Sequence, residues 1–186
     1  MGKFTVTVRQ KTRKINMETC TGCGACASIC PVTVPNEFDL NMAHRGAAYI
    51  PFPQAVPGQY TIDSNACIEC ELCLSACEVG AIDLSQQDII TEIDVGAVIL
   101  ATGNEVFDPS EIIRYGYTKY KNVITGIEME RLLSSSGPTL GKVIKPSDHN
   151  PPNRVAFLQC VGSRNFQEGA HKYCSRVCCI DRKSVV

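Results

Sequence analysis

The sequence predicts a chain of the α+β class made of two successive parts, and three observations support this. One four-cysteine motif occurs twice in the first part, while the second part combines apolar runs typical of buried strands with one helical pattern. The composition, 44% hydrophobic and 20% charged among 186 residues, excludes wholesale disorder. The formal net charge of −1 argues against a basic nucleic-acid surface, and no apolar run is long enough to span a membrane.

The 12 cysteines fall into three groups. The groups are Cys20, Cys23, Cys26 and Cys30; Cys67, Cys70, Cys73 and Cys77; and Cys160, Cys174, Cys178 and Cys179. The first two groups share the spacing C-x2-C-x2-C-x3-C, which makes them an internal repeat. The N-terminal residues lack the long apolar core of a secretory signal, so we expect a cytoplasmic protein, in which cysteines more often bind metal than form disulfides.

The repeated spacing is typical of a pair of cubane [4Fe–4S] clusters. In each motif three thiolates come from one loop, and the fourth lies one helical turn later and binds the partner cluster. The sequence therefore predicts a ferredoxin-like two-cluster unit. One cluster is assigned to Cys20, Cys23, Cys26 and Cys77, and the other to Cys67, Cys70, Cys73 and Cys30. A structural zinc site would more usually have two C-x2-C pairs.

The residues between the ligands fit a loop that wraps a cluster. Gly22 and Gly24 permit a tight turn whose backbone N–H groups can face the cluster sulfides. Pro31 stiffens the exit from the first motif. Glu78 takes the corresponding place in the second motif, which leaves the rigidity of that loop open but does not affect ligation.

The remainder of the first part, residues 1–87, is assigned to the same domain. Apolar and polar residues alternate from Lys3 to Val8 and predict a short strand. The segment from Asn36 to Asp63 separates the two motifs and is rich in proline and aromatic residues. It is longer than a minimal ferredoxin needs; a packed surface loop is the favoured interpretation, and a docking surface for a partner is the alternative.

Residues 88–180 are interpreted as part of an α/β domain. Val98 to Ala101 is a continuous apolar run, the pattern of a buried parallel strand. Its ending, Ala101, Thr102 and Gly103, resembles a motif of flavoproteins with two dinucleotide-binding domains, where small residues let the backbone pass close to the flavin. These three residues are the candidate cofactor contacts, although the chain has no G-x-G-x-x-G turn for a pyrophosphate.

Further along, Thr125 and Glu128 have the spacing of a capping box that begins a helix, and Arg154 to Gln159 predicts another buried strand. The third cysteine group begins directly after that strand with Cys160, and Cys174 and Cys178 are spaced to share one helix face. A third iron–sulfur cluster is favoured, and a redox dithiol or partly buried structural thiols are the alternatives. No nucleophile–base pair suggests a catalytic residue.

Five stretches resemble the A subunit of heterodisulfide reductase and its homologues, the iron–sulfur flavoproteins of methanogens and some sulfate-reducing bacteria. They are Cys30–Phe38, Ala48–Pro57, Ile99–Gly103, Phe157–Arg164 and Tyr173–Cys179. The resemblance implies a thioredoxin-reductase-like FAD/NAD(P)-binding domain into which the two-cluster unit is inserted. It further implies electron transfer among FAD, the clusters, electron-donor proteins and partner subunits that reduce a disulfide substrate.

Members of that family are much longer, so the resemblance implies a truncated fragment that is not catalytically complete alone. Residues 181–186 break the apolar pattern expected after Ile180, and one back-translation resembles a sequencing adapter; we interpret them as a sequencing artefact. A natural stop codon after Val186 at the genomic locus would contradict this interpretation. Two other functions stay open at this point: a stand-alone ferredoxin-type carrier with an accessory domain, and a colourless zinc module.

Overall fold

The computed structural model describes residues 2–103, 105–166, 171–174 and 176–179, and the chain divides into two compact units between Ala101 and Thr102. The elements of the first unit are β1 Phe4–Gln10, α1 Ala25–Ile29, β2 Val34–Pro35, a 3-10 turn Glu37–Asp39, β3 His44–Arg45, β4 Ala48–Tyr49, β5 Thr61–Ile62, α2 Leu72–Ala76 and β6 Ile89–Val95. Those of the second are 3-10 turns Pro109–Glu111 and Ile113–Tyr115 and the helix α3, Gly126–Leu133. This mixture of helices and strands agrees with the predicted α+β class.

The strands β1 and β6 form an antiparallel ribbon in which Phe4 lies opposite Val95 and Gln10 lies opposite Ile89. The strand that the sequence predicts over residues 3–8 is present as β1. The hydroxyl of Thr5 donates a cross-strand hydrogen bond to Asp94, at 2.8 Å. Because β6 pairs with β1, the first compact unit extends to Ala101, whereas the predicted second domain begins at residue 88.

The hydrophobic core of the first unit lies around the two cysteine motifs. Its buried residues are Ile15, Cys26, Ala48, Ile62, Ala81 and Ile82. Packed against them are Tyr60, Leu84 and five further cysteines, namely Cys20, Cys30, Cys67, Cys73 and Cys77. An antiparallel bridge between Ile15 and Ile82 joins the chain just before the first motif to the chain just after the second.

The insertion between the motifs is held by Arg45, whose side chain is only 10% exposed. Its guanidinium donates two hydrogen bonds to the carboxylate of Glu37, at 2.7 and 2.8 Å, and one to Asp63, at 2.8 Å. It also lies 3.9 Å from the centre of the Tyr49 ring. Hydrogen bonding from Arg45 lowers the pKa of both carboxyl groups, so the two ends of the insertion are tied by charge-assisted bonds.

In the second unit, the predicted capping box is present at the start of α3. The Thr125 hydroxyl accepts a hydrogen bond from the Glu128 N–H, at 3.3 Å, and the Glu128 carboxylate accepts one from the Thr125 N–H, at 2.5 Å. Leu132 is the buried residue of this helix. No described helix is long and apolar enough to cross a membrane.

Two strands that the sequence predicts within residues 88–180 are not present in this structure. Residues 98–101 and 154–159 are not assigned to strands, and their apolar side chains are exposed, Ile99 by 90% and Leu158 by 61%. A parallel strand is stable only between neighbouring strands with helices on its faces. After β6 the described residues contain no strand to pair with these runs, so the predicted α/β sheet does not form in this part of the chain.

The capping box makes a prediction about local stability. Replacing Thr125 by alanine removes the side-chain acceptor and should destabilise α3 by about 1 kcal/mol, so that amides of the helix exchange with solvent about fivefold faster. Hydrogen–deuterium exchange resolved to residues 126–133 measures this. Thr125→Ser keeps the acceptor and should exchange at the original rate; equal rates in Thr125→Ala would show that the cap does not stabilise the helix.

Candidate metal centres

The first cysteine motif runs from a loop into α1. Gly22 and Gly24 have left-handed backbone angles, with φ of 72° and 83°, and Gly24 is the N-cap of the helix. The helix carries the buried Cys26 and ends at Cys30, whose backbone is extended. Because a residue that precedes proline disfavours the helical conformation, Pro31 accounts for the end of α1 at this cysteine.

The second motif has the same local structure. Glu69 and Glu71 take the left-handed conformations that the two glycines take in the first motif, with φ of 54° and 61°. Glu71 is the N-cap of α2, and the helix ends at Cys77 in an extended conformation. The sequence repeat is therefore also a structural repeat, and α1 and α2 pack against each other.

The structure brings Cys30 of the first motif to the loop of the second. A small pocket is lined by this cysteine together with Cys67, Cys70 and Cys73. The thiol of Cys73 interacts electrostatically with those of Cys67, Cys70 and Cys30. These four are the residues that the sequence assigns to one cluster.

Three of the remaining cysteines of the repeat lie together in the other loop. The thiol of Cys26 interacts electrostatically with those of Cys20 and Cys23. Cys77 packs against the common core and accepts a hydrogen bond from the Ala81 N–H, at 3.3 Å from its sulfur. Its assignment to this first group follows from the symmetry of the repeat.

The surroundings shift the pKa values of three thiols. Burial raises the pKa of Cys26 to about 11, and burial, reinforced by the neighbouring Cys67 thiol, raises that of Cys73. Burial also acts on Cys30, but hydrogen bonds from the backbone N–H groups of Ala48, Val32 and Ala47 outweigh it and lower the pKa. Iron binds the thiolate form, so positive metal would offset the burial penalty, and the N–H groups would stabilise the sulfur of Cys30.

The described side chains do not suit a single bound ion. No three His, Cys, Asp or Glu side chains among them converge on one metal position. A zinc ion with Zn–S bonds of about 2.3 Å would require its sulfurs to lie about 4 Å apart. In a cubane cluster each cysteine binds a different iron, so the sulfurs surround a larger volume. The donor set therefore fits two clusters better than two zinc ions.

The third cysteine group differs from the repeat in sequence spacing and varies in burial. Cys160 and Cys174 are partly buried, whereas Cys178 and Cys179 are exposed. The N–H of Arg176 donates a hydrogen bond to the Cys174 sulfur, at 3.3 Å. Residues 175 and 180, which belong to the same predicted cluster-binding stretch, lie outside the described residues, as does the tail 181–186.

The candidate flavin contacts lie at the end of the first unit and the start of the second. Ala101, Thr102 and Gly103 are all exposed, and, the chain neighbours of Gly103 aside, no atom of the described residues lies within 4 Å of the position that its Cβ would take. The described residues thus do not enclose a flavin around them.

Sequence reasoning missed two features of the metal centres. The backbone of Ala47 and Ala48, in the insertion, faces Cys30, and Tyr60 lies beside the first cysteine loop. Burial raises the Tyr60 pKa, with the nearby thiols of Cys26, Cys23 and Cys20 adding to the shift. The aromatic content of the insertion is the signal that could have indicated Tyr60.

Comparison with known proteins identifies related sequences. Residues 19–82 match the 4Fe-4S dicluster domain family. Over 180 residues, 97% of the chain, it is 53% identical to the A subunit of the H(2):CoB-CoM heterodisulfide,ferredoxin reductase of Methanothermobacter marburgensis, covering 27% of that protein. Over the same share of the chain it is 51% identical to the iron-sulfur A subunit of the CoB--CoM heterodisulfide reductase of Methanocaldococcus jannaschii, and it covers 27% of that protein. It is 44% identical, again over 97% of the chain, to the A subunit of the ferredoxin:CoB-CoM heterodisulfide reductase of Methanosarcina mazei, of which it covers 23%. The chain spans about a quarter of the length of these curated relatives.

The crossed arrangement of ligands predicts how paired substitutions combine. Cys20→Ala with Cys77→Ala should remove one cluster and leave about four irons in the repeat, because both residues would serve the same cluster. Cys20→Ala with Cys30→Ala should remove both clusters, although both residues lie in the first motif. Iron and sulfide analysis after anaerobic reconstitution distinguishes the two double variants; the opposite ranking would mean that each motif binds its own cluster.

Proposed function

The chain is a homologue of one segment of the A subunit of heterodisulfide reductase, and from that relationship we propose that it transfers electrons through two [4Fe–4S] clusters within a multisubunit oxidoreductase. The observation that carries the proposal is the structural repeat that brings Cys30 beside Cys67, Cys70 and Cys73. [4Fe–4S] clusters supply one-electron chemistry when bound.

The residues of the chain hold the two clusters close together and set their surroundings. One cluster is assigned to Cys20, Cys23, Cys26 and Cys77. The other is assigned to Cys67, Cys70, Cys73 and Cys30. Because α1 and α2 pack against each other and each ends at a cysteine of the opposite site, the same short helices that bury the ligands also fix the separation of the sites. That arrangement suits a relay rather than a catalytic pocket.

We further propose that residues 88–180 belong to an α/β domain of the whole protein that binds FAD, with Ala101, Thr102 and Gly103 near the flavin. The exposure of the apolar runs 98–101 and 154–159 supports this, since such runs would be buried by the neighbouring strands of a complete sheet. In this proposal the whole protein works in the cytoplasm with electron donors and partner subunits. The partner subunits deliver two electrons and two protons to a disulfide substrate, releasing two thiols.

A third iron–sulfur cluster on Cys160, Cys174, Cys178 and Cys179 forms part of the proposal. Its support is a local turn that matches the cluster loops. Arg176 has a left-handed φ of 63° and its N–H donates to the Cys174 sulfur at 3.3 Å. In the second motif, Glu69 has a φ of 54° and its N–H donates to the Cys67 sulfur at 3.4 Å.

The stand-alone ferredoxin-type carrier is the weaker alternative. Homology extends over 97% of the chain, well beyond the dicluster domain at residues 19–82. A free-standing carrier with an unrelated accessory domain would not be expected to match one continuous segment of a longer reductase subunit. The full-length gene on either side of this segment would separate the two.

The relay predicts a defined electron capacity. The chain, produced and purified without oxygen, should bind about eight irons in the repeat and accept about two electrons there in a dithionite titration, one for each cluster. The reduced protein should show the electron paramagnetic resonance spectrum of two interacting clusters. A colourless protein that contains zinc alone would overturn the proposal.

The third cluster predicts about four additional irons, about twelve in total, which Cys160→Ser should remove without changing the two-cluster signal. The matched control is Cys70→Ser, which should affect the repeat and leave the additional irons bound. A total of about eight irons that Cys160→Ser does not lower would show that the third group holds no cluster.

A further inference from the structure

The two halves of the repeat differ at the positions directly before and directly after their second cysteine. Gly22 and Gly24 occupy these positions in the first motif, and Glu69 and Glu71 occupy them in the second. All four have left-handed backbone conformations, with φ between 54° and 83°. The glutamates show that a side chain is compatible with this backbone, so the conformation alone does not account for the two glycines.

The space beside each glycine is occupied by the insertion. A Cβ atom on Gly22 would lie 2.9 Å from the carbonyl oxygen of Gly58, and one on Gly24 would lie 2.8 Å from the hydroxyl oxygen of Tyr60. Both distances are shorter than a Cβ atom allows without a shift, which would move the backbone of Gly58 in the first case and the end of the Tyr60 side chain in the second. The two glycines are therefore explained by the close approach of residues 58–60, whereas Glu69 and Glu71 are exposed.

Residues 58–60 are held in place by hydrogen bonds with Arg13. The guanidinium of Arg13 donates hydrogen bonds to the carbonyl of Gln59, at 2.6 Å, and to that of Tyr60, at 3.3 Å. The chain then enters β5, where the Ile62 N–H donates to the Arg13 carbonyl at 3.0 Å. The segment is thus fixed over the first cysteine loop by contacts that do not involve the cysteines.

The Tyr60 hydroxyl has no hydrogen-bond partner among the described residues. It lies over Gly24, the residue that separates Cys23 from α1 in the chain. The Tyr60 side chain also interacts electrostatically with Cys20, Cys23 and Cys26. The hydroxyl is therefore an available donor, and a cluster held by these three cysteines offers sulfur acceptors at this place. At the second site the insertion instead supplies backbone N–H groups to Cys30.

We propose that residues 58–60 form a fixed cover over the first cluster alone, and that Tyr60 is a positioning residue whose hydroxyl donates a hydrogen bond to that cluster. The inference rests on the proposed function, since it requires the clusters to be bound. It makes the two sites unequal: the first is covered and receives a hydroxyl donor, while the loop of the second is bordered by two exposed carboxylates. A hydrogen bond to cluster sulfur stabilises the reduced, more negative state, so Tyr60 should raise the reduction potential of the first cluster only.

The test measures each cluster separately. In a Cys70→Ala background the first cluster is retained, and in a Cys23→Ala background the second is retained. Tyr60→Phe, which keeps the ring and removes the hydroxyl, should lower the midpoint potential in the first background and leave it unchanged in the second, as followed by electron paramagnetic resonance. An unchanged potential in the Cys70→Ala background, or equal shifts in both, would overturn the role of the hydroxyl.

The cover is tested by the rate at which clusters are lost. Gly24→Ala places a Cβ 2.8 Å from the Tyr60 hydroxyl and should displace that side chain from the first loop. In air the first cluster of this variant should therefore be lost severalfold faster, as followed by its visible absorbance. Glu71→Ala is the matched control at the same backbone position of the second motif and should change neither rate. If Gly24→Ala does not fold, Tyr60→Ala tests the same cover. Equal rates in the wild type and the folded cover variant would overturn the inference, whereas a wild type without iron would instead overturn the proposed function.

Discussion

The cysteine-bearing unit depends on one closure, the antiparallel bridge between Ile15 and Ile82. The Asn16 N–H donates to the Ala81 carbonyl at 2.7 Å, and the Asp83 N–H donates to the Lys14 carbonyl at 3.0 Å, so the closure is made by backbone hydrogen bonds on both sides of two buried isoleucines. It brings the segment before the first motif against the segment after the second. Both motifs must then fold back on the same small core, which is why α1 and α2 meet.

The core that this closure creates is small and is built partly of cysteines. Cys26 is buried within it, and most of the other cysteines of the repeat pack against it. A core of this size contributes limited stability by hydrophobic burial alone, and bound metal commonly supplies the remaining folding free energy in such units. Ligand binding and folding are thereby coupled, because the thiols that fill the centre are also the groups that hold the clusters.

The insertion shows how charged side chains that are not ligands can position the cysteine loops. Arg45 ties Glu37 to Asp63, near the two ends of the insertion, and Arg13 holds the backbone of residues 59 and 60. With its ends fixed, the insertion packs against the core at Ala48, Tyr60 and Ile62. Its other aromatic residues differ in burial: Tyr49 is partly buried, whereas Phe38 and Phe52 are exposed.

Residues 88–180 illustrate where the sequence pattern predicts the structure and where it does not. The capping box of α3 was predictable because its two hydrogen bonds join residues three apart, and such local interactions form wherever the helix does. The apolar runs at 98–101 and 154–159 have the composition of buried strands, but a parallel strand is completed by neighbours distant in sequence. Without those neighbours in the described residues, the runs remain exposed, and so do Ala101, Thr102 and Gly103.

The sequence by itself determined the number, spacing and grouping of the cysteines, the repeat and the helix cap, because each is a matter of local spacing. It also led to the expectation that Cys30 serves the second site, since a fourth ligand one helical turn onward points away from its own loop. Only the tertiary structure decided that β6 joins the first unit and that Ala47 and Ala48 face Cys30. It also decided that the Tyr60 hydroxyl lies close to Gly24, 2.8 Å from the position that a Cβ there would take. These contacts join residues far apart in the chain, and their geometry depends on the closure of Ile15 on Ile82, which no local pattern specifies.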